Sequence, residues 1–198
     1  MFEGIREIIR PSRGAGLAYP PQLALLLHNP LRRLILSPAE LMRRLDVRPQ
    51  DRVLELGPGP GYFSVAVARA LPKGQLLLVD LQPAMLAKAK ARLTPSGLNN
   101  IHYYAADARA LPLEDCSIDL AFLVAALGEV SEPELALREL FRVLRPGGRL
   151  NVTEQPDDPD FIPRSDITRM AESAGFRRGR HWGKSRVCHN YSDEFLRP

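Results

Sequence analysis

From Pro49 onward, apolar and polar positions alternate in blocks short enough to be strands and helices in turn. Arg52–Leu56 reads as a strand, followed by a loop over Gly57–Gly61. A helix over Tyr62–Leu71 comes next, with Phe63, Ala66, Val67 and Ala70 on one face. Gln75–Val79 is a second predicted strand, ended by Asp80, and Pro83–Leu93 a helix that opens on proline, a residue tolerated in the first turn. Ile101–Ala105 is a third strand, ended by Asp107, and Ile118–Ala125 a long apolar fourth. A helix over Glu132–Leu144 is turned by Pro146-Gly147-Gly148 into a strand over Arg149–Thr153. Ser165–Ala174 is a helix stopped by Gly175, and Phe176–Tyr191 a terminal hairpin. Strand and helix alternate at least five times, which predicts an α/β domain with helices on both faces of a largely parallel sheet. The strands read as continuous apolar runs, as a sheet covered on both faces requires.

The first 48 residues lack strand patterning. Pro20–Pro21 can open a helix over Gln22–His28, which Pro30 then interrupts because it disfavours helix at Asn29. Leu31–Leu36 is apolar with Arg32 and Arg33 on one side, and Ser37-Pro38-Ala39-Glu40 is a capping box that starts a helix through about Leu45. The chain therefore divides into a helical lead-in over residues 1–48, suited to capping a substrate site, and a main domain over residues 49–198.

Composition narrows the class. With 198 residues, 45% hydrophobic and 25% charged, the chain suits one domain with a full core. Its longest apolar runs, such as Leu23–Leu27, are too short to span a bilayer, and the first twenty residues carry no secretory pattern. Cys116 and Cys188 are too few for a disulfide framework or a cysteine-rich zinc site. These features predict a soluble, cytoplasmic protein. Residues 1–48 carry eight Arg against four acids, residues 49–174 thirteen Lys or Arg against seventeen acids, and residues 175–198 six against two. An acidic body flanked by basic ends suits an anionic substrate, a membrane surface or nucleic acid, or is a solvated basic face.

The candidate chemistry lies at the strand ends, where sheets of this kind bind ligands. Glu55-Leu-Gly57-Pro58-Gly59-Pro60-Gly61-Tyr62 lets the backbone turn sharply and approach a ligand. A dinucleotide loop wants Gly-x-Gly-x-x-Gly, with amides facing a pyrophosphate. Here the third glycine arrives one residue early, and Pro58 and Pro60 have no N–H to give. There is no Walker Lys-Ser/Thr either. Asp80, 23 positions after Gly57, can accept from both ribose hydroxyls, and Asp107-Ala108 on the same rim can read an adenine edge. The set describes a nucleoside with a compact charged tail and no diphosphate.

Val53-Leu-Glu-Leu-Gly-Pro-Gly-Pro-Gly-Tyr-Phe-Ser64, Val79-Asp80-Leu81-Gln82-Pro83-Ala84-Met85-Leu86, Ala106-Asp107-Ala108 and Phe141-Arg-Val-Leu-Arg-Pro-Gly-Gly148 resemble class I S-adenosylmethionine-dependent methyltransferases. The nearest likeness is to small bacterial and archaeal enzymes close to the quinone-biosynthesis methyltransferases. The match is clear over about residues 48–155. It implies a Rossmann-like, doubly wound, seven-stranded sheet with an antiparallel C-terminal strand. By position, the resemblance implies that Gly57, Gly59 and Gly61, supported by Glu55, meet the methionine moiety. Asp80 holds the ribose, Leu81 lies against the adenine, Asp107 and Ala108 read its edge, and Val124 borders the site. Tyr19 could cover the carboxylate end of the cofactor, or be a packed aromatic.

Methyl transfer from a sulfonium is an in-line displacement that asks of the protein mainly orientation and exclusion of water. A base is needed only if the nucleophile carries a proton. Many relatives have His-Glu-Val after the fourth strand, where this chain has Gly128-Glu129-Val130, so the imidazole is missing. Glu129 and His28 are the candidates for a catalytic or pocket-lining role, and no metal is expected. The expected acceptor is a small organic molecule, hydrophobic or anionic, with peripheral membrane contact possible through residues 23–36. Alternatives are an RNA or protein acceptor, suggested by the basic ends, a nicotinamide-dependent oxidoreductase on the same fold, and a non-catalytic cofactor-binding scaffold.

Overall fold

The computed structural model describes residues 36–155, 158–183 and 190–198. Tyr19, His28, the predicted helix over Gln22–His28, most of the 23–36 stretch, Cys188 and His189 lie outside the described residues. The described chain begins where the capping box predicts a helix. In α1 (Pro38–Leu45) the Ser37 hydroxyl accepts from the Glu40 N–H at 3.1 Å, and proline occupies the first turn. Leu41 and Leu45 of its inner face, with Leu36 before it, are buried.

Seven strands follow: β1 (Arg52–Leu56), β2 (Gln75–Asp80), β3 (Ile101–Ala105), β4 (Ile118–Val124), β5 (Leu144–Glu154), β6 (Arg177–Trp182) and β7 (Tyr191–Leu196). Between them run α2 (Ser64–Arg69), α3 (Pro83–Leu93), α4 (Pro133–Val143) and α5 (Arg164–Ser173). The strands form one sheet in the order β3-β2-β1-β4-β5-β7-β6. The first five are parallel, and β7 is inserted antiparallel between β5 and β6. The order reverses between β1 and β4, so a crevice opens beyond their carboxyl ends.

Alternate residues of each strand feed two cores. Leu54, Leu77, Val79, Leu123 and Val152 pack with α4 and α5, whereas Val53, Leu76, Leu78, Leu120 and Phe122 pack with α1, α2 and α3. Every residue of β2 after Gln75 is therefore buried, which is why its sequence shows no alternation.

Three predicted boundaries moved. The Tyr62–Leu71 helix narrows to Ser64–Arg69, because Gly57–Phe63 is spent on the glycine turn, with Gly61 donating back to Pro58. Pro146-Gly147-Gly148 is not a separate turn before a strand. The end of β7 recruits it into β5, Gly147 N–H donating to the Arg197 carbonyl at 2.9 Å and Arg197 N–H to Gly148 at 3.0 Å. The terminal hairpin likewise extends beyond Tyr191, its second strand only beginning there.

The end of the sheet away from the crevice is tied to α1 by a buried arginine. The Arg149 guanidinium reaches Asp51 at 3.2 Å and donates to the Leu45 and Asp46 carbonyls at the end of α1. Asp46 itself closes α1 in the left-handed region. Arg149→Ala strands the Asp51 carboxylate and two carbonyls in a dry setting, and is expected to cost about 3–5 kcal/mol. Urea unfolding at neutral pH measures this, and a loss below about 1 kcal/mol would remove the pair's structural role.

Candidate functional site

The crevice beyond β1, β2 and β4 is a cleft of about 230 Å³. Its floor is the glycine loop, and every donor of that loop is already engaged. Gly57 N–H binds the Val79 carbonyl at 2.9 Å, stitching the loop to β2, and Gly61 N–H closes a turn on Pro58 at 3.0 Å. Gly59 N–H donates to the Asp80 carboxylate. Pro58 and Pro60 carry no N–H. The loop thus has no backbone amide to spare for a diphosphate, neither at its prolines nor at its glycines.

The glycines serve different ends. Gly57, at φ +68°, has the Ala126 Cβ 2.7 Å from where its own Cβ would be, so a side chain there would collide with the wall after β4. Gly59, at φ +52°, faces open space at that position and lines the cleft. Gly61, at φ +76°, does not line the cleft; its missing Cβ lets the loop approach Ala89 of α3 at 3.3 Å. All three need the left-handed backbone that glycine adopts without strain.

Asp80 sits at the end of β2, buried, with Gln82 N–H donating to it at 2.9 Å in addition to Gly59. Burial raises its pKa from the ordinary aspartate value, and the two backbone donors pull the other way. Beside it Leu81 is 57% exposed, an apolar side chain held at the mouth of the cleft, near Met85. This arrangement fits the adenosine of S-adenosylmethionine: a carboxylate for two ribose hydroxyls, and apolar surface for a base. Ala108 and Val124 complete the lining on the far side.

Asp107 also lines the cleft, but its carboxylate is already engaged. Arg109 grips it through Nε at 3.0 and 3.1 Å and through a terminal nitrogen at 2.7 Å, while its other terminal nitrogen reaches Glu132 at 2.5 Å. These contacts hold Asp107 below the usual carboxylate range. Arg109 was not among the residues selected from sequence, and as an ordinary Arg after a strand end it carried no signal there. Glu55 lies behind the loop rather than in the cleft, buried, its carboxylate accepting from the Ser64 hydroxyl at 2.6 Å. It braces the start of α2.

The opposite end of the cleft is acidic. Glu129, Val130, Ser131 and Asp158 line it. Gly128 has a packing reason: a Cβ there would overlap the carbonyl oxygen of Asp160, because the segment after β5 crosses directly over it. A side chain at position 128, an imidazole included, has no room in this chain. Glu154, at the last position of β5, is 1% exposed, and its Oε1 has no hydrogen-bond partner among the described residues. Desolvation first, then the charges of Asp158, Asp160 and Glu129, push its pKa to about 8, against a donated hydrogen bond from Ile162. Sequence reasoning assigned the Glu154–Pro163 segment to substrate specificity without singling out Glu154, whose burial no local pattern signals.

Among the described residues there is no group of acids, histidines and cysteines arranged to hold a metal, and no helix long and apolar enough to cross a membrane.

Residues 53–148 match a family model described as a methyltransferase domain. The ubiquinone/menaquinone biosynthesis C-methyltransferase UbiE of Vibrio vulnificus is 39% identical over 122 residues, 61% of this chain and 46% of that enzyme. The chain thus spans about half the length of the curated relatives it matches. The crystal structure of a SAM-dependent methyltransferase from Aquifex aeolicus superposes with a TM-score of 0.83 at 22% identity, covering 91% of this chain and all of that one. The cyclase SpnF superposes with a TM-score of 0.73 at 21% identity, over 81% of this chain and 79% of its own. At such identities the two structures speak for the fold alone.

Glu154 makes stability depend on pH. Its carboxyl titrates near 4.5 when unfolded and near 8 when folded. The unfolded chain therefore loses this proton first, and folding stability falls as pH rises from about 4.5 to about 8, then levels. Glu154→Gln removes that slope and is expected to stabilise the protein by a few kcal/mol at alkaline pH, on the order of 1.4 kcal/mol for each tenfold difference in proton affinity between the folded and unfolded carboxyl. Urea midpoints of both proteins from acid to alkaline pH test this; parallel curves would place the Glu154 proton elsewhere.

Proposed function

We propose that the chain is a class I, S-adenosylmethionine-dependent methyltransferase, supported by the match of residues 53–148 to a methyltransferase-domain model, and that it transfers a methyl group to a carbon of a small hydroxylated aromatic acceptor of quinol type. The observation that carries the cofactor assignment is the glycine loop with every amide engaged, set beside a buried Asp80. A nucleoside with an amino-acid tail fits such a loop; a dinucleotide does not. The quinol acceptor is supported by the likeness to UbiE enzymes over 61% of this chain.

When bound, S-adenosylmethionine supplies an activated carbon and a neutral thioether leaving group. Asp80 accepts from the ribose hydroxyls, fixing the nucleoside in rotation. Leu81 and Met85 offer the base an apolar surface, and Ala108 gives its edge a backbone contact. Gly57 and Gly59 let the tail lie close to the backbone. The acidic end of the cleft would be left to the acceptor, with Glu129 as the group to take a proton from it.

Asp80→Ala is expected to weaken S-adenosylmethionine binding by about 1.5–3 kcal/mol, the loss of a charged hydrogen-bond partner, or roughly ten- to a hundred-fold in Kd. Titration calorimetry with S-adenosylmethionine and NAD in parallel makes the test. Unchanged affinity in a folded Asp80→Ala protein, or NAD binding in place of the methyl donor, would overturn the assignment.

A further inference from the structure

The acidic end of the cleft holds more carboxyl groups than a methyl-donor site requires. Glu129 and Asp158 line it. Behind them lies Glu154, whose Oε1 has no partner among the described residues. The register that pairs Val124 with Thr153 sets Glu154 alongside Ala125, itself a lining residue. Among the described residues, the groups facing Glu154 are Glu129 from the turn after β4, Asp158 and Asp160 from the crossing segment, and Tyr191 from β7. All the charges among them have the same sign, and the Ile162 N–H is the described donor directed at it. Tyr191 offers Glu154 no proton, because its hydroxyl donates to the Ile162 carbonyl at 2.7 Å, while Arg164, a cation close to Tyr191, is drawn to Asp193 at 2.9 Å. A buried carboxyl left in this way has a strong affinity for one proton and an unfilled hydrogen-bonding atom to receive it.

We propose that Glu154 is a positioning residue for proton removal: acting through Glu129, it stores the proton that a hydroxyl-bearing aromatic acceptor gives up as it is methylated. This rests on the quinol reading above. The acceptor O–H breaks with its electron pair left on oxygen, and Glu129 takes the proton. The ring carbon gains the methyl as the carbon–sulfur bond breaks with its pair on sulfur. Loss of the ring C–H proton and return of a proton to oxygen restore the aromatic ring, so one proton is released in net. It moves from Glu129 to Glu154, the buried carboxyl behind it. Ionised Glu154 is therefore the competent form, and it is the minor form at neutral pH. Such a group is matched to its task, since its proton affinity lies near the working range and closer than an ordinary Glu to that of a phenol.

The test combines the enzyme's pH profile with a measurement on the protein alone. With S-adenosylmethionine and a naphthohydroquinone lacking the ring methyl, kcat is expected to rise about tenfold per pH unit and to level off near pH 8. Glu154→Gln should lower the kcat plateau about 100-fold with KM little changed, and should abolish the rising limb. In the protein without cofactor, the infrared carbonyl band of a protonated buried carboxyl should be present at about pH 6, vanish on passing pH 8, and be missing in Glu154→Gln. Glu129→Gln, which leaves the β5 site intact, should move that titration to lower pH by removing a facing like charge. A Glu154→Gln enzyme with wild-type kcat and pH limb would overturn the proposal. So would absence of the band from the wild type, or a midpoint unmoved by Glu129→Gln. A protein that shows the band but neither binds S-adenosylmethionine nor methylates would instead refute the function on which the proposal depends.

Discussion

The Asp80 carboxylate joins the two pieces of chain that make the cleft. It ends β2, yet it accepts from Gly59, in the turn that follows β1, and from Gln82, which leads into α3. One buried anion therefore fixes the distance between the loop and the second strand, and with it the width of the crevice. Gly57 strengthens the same junction through Val79. Buried carboxylates are stable only when hydrogen-bonded, and the donors that satisfy this one are those a phosphate-binding loop would leave for its ligand. Holding the loop closed and declining a diphosphate are the same physical event.

The far wall follows a different rule. There the segment after β5 is laid so close over Gly128 that a side chain would meet the Asp160 carbonyl. That crossing removes the space an imidazole would occupy, and it takes Glu154 out of water. Proton affinity is thereby moved from a histidine to a carboxyl raised by burial and by like charge. Arg109 at the other end of the cleft does the opposite for Asp107, holding it ionised. One cleft thus keeps a firmly charged acid at one end and a proton-holding acid at the other, by environment alone.

Much of the fold was legible. The capping box of α1, the proline start of α3 and the apolar runs of β1 to β4 are local signals, and the structure agrees with them closely. Asp80, Asp107, Ala108 and two of the three loop glycines, named from the strand ends, and Leu81 and Val124, named from the resemblance, line one crevice. Gly61 and Glu55 were placed with them by motif position, but they serve the packing of the loop on α3 and the bracing of α2. A motif fixes which residues recur together without saying which face the ligand. The Pro-Gly-Gly stretch misled for a related reason: its conversion from turn to strand is imposed by β7, about 50 residues later.

By itself the sequence determined the alternation of strands and helices, the crevice at the switch point, and a loop too poor in donors to hold a diphosphate. All of these depend on hydrophobic period, on the missing N–H of proline, and on residues within a few positions of one another. Only the tertiary structure decided that the remaining loop amides are engaged, that Arg109 holds Asp107, that Gly128 gives way to Asp160, and that Glu154 is buried. Each of those depends on how closely two distant segments approach. Desolvation and steric overlap change sharply over an ångström, and no local pattern in a chain records that distance.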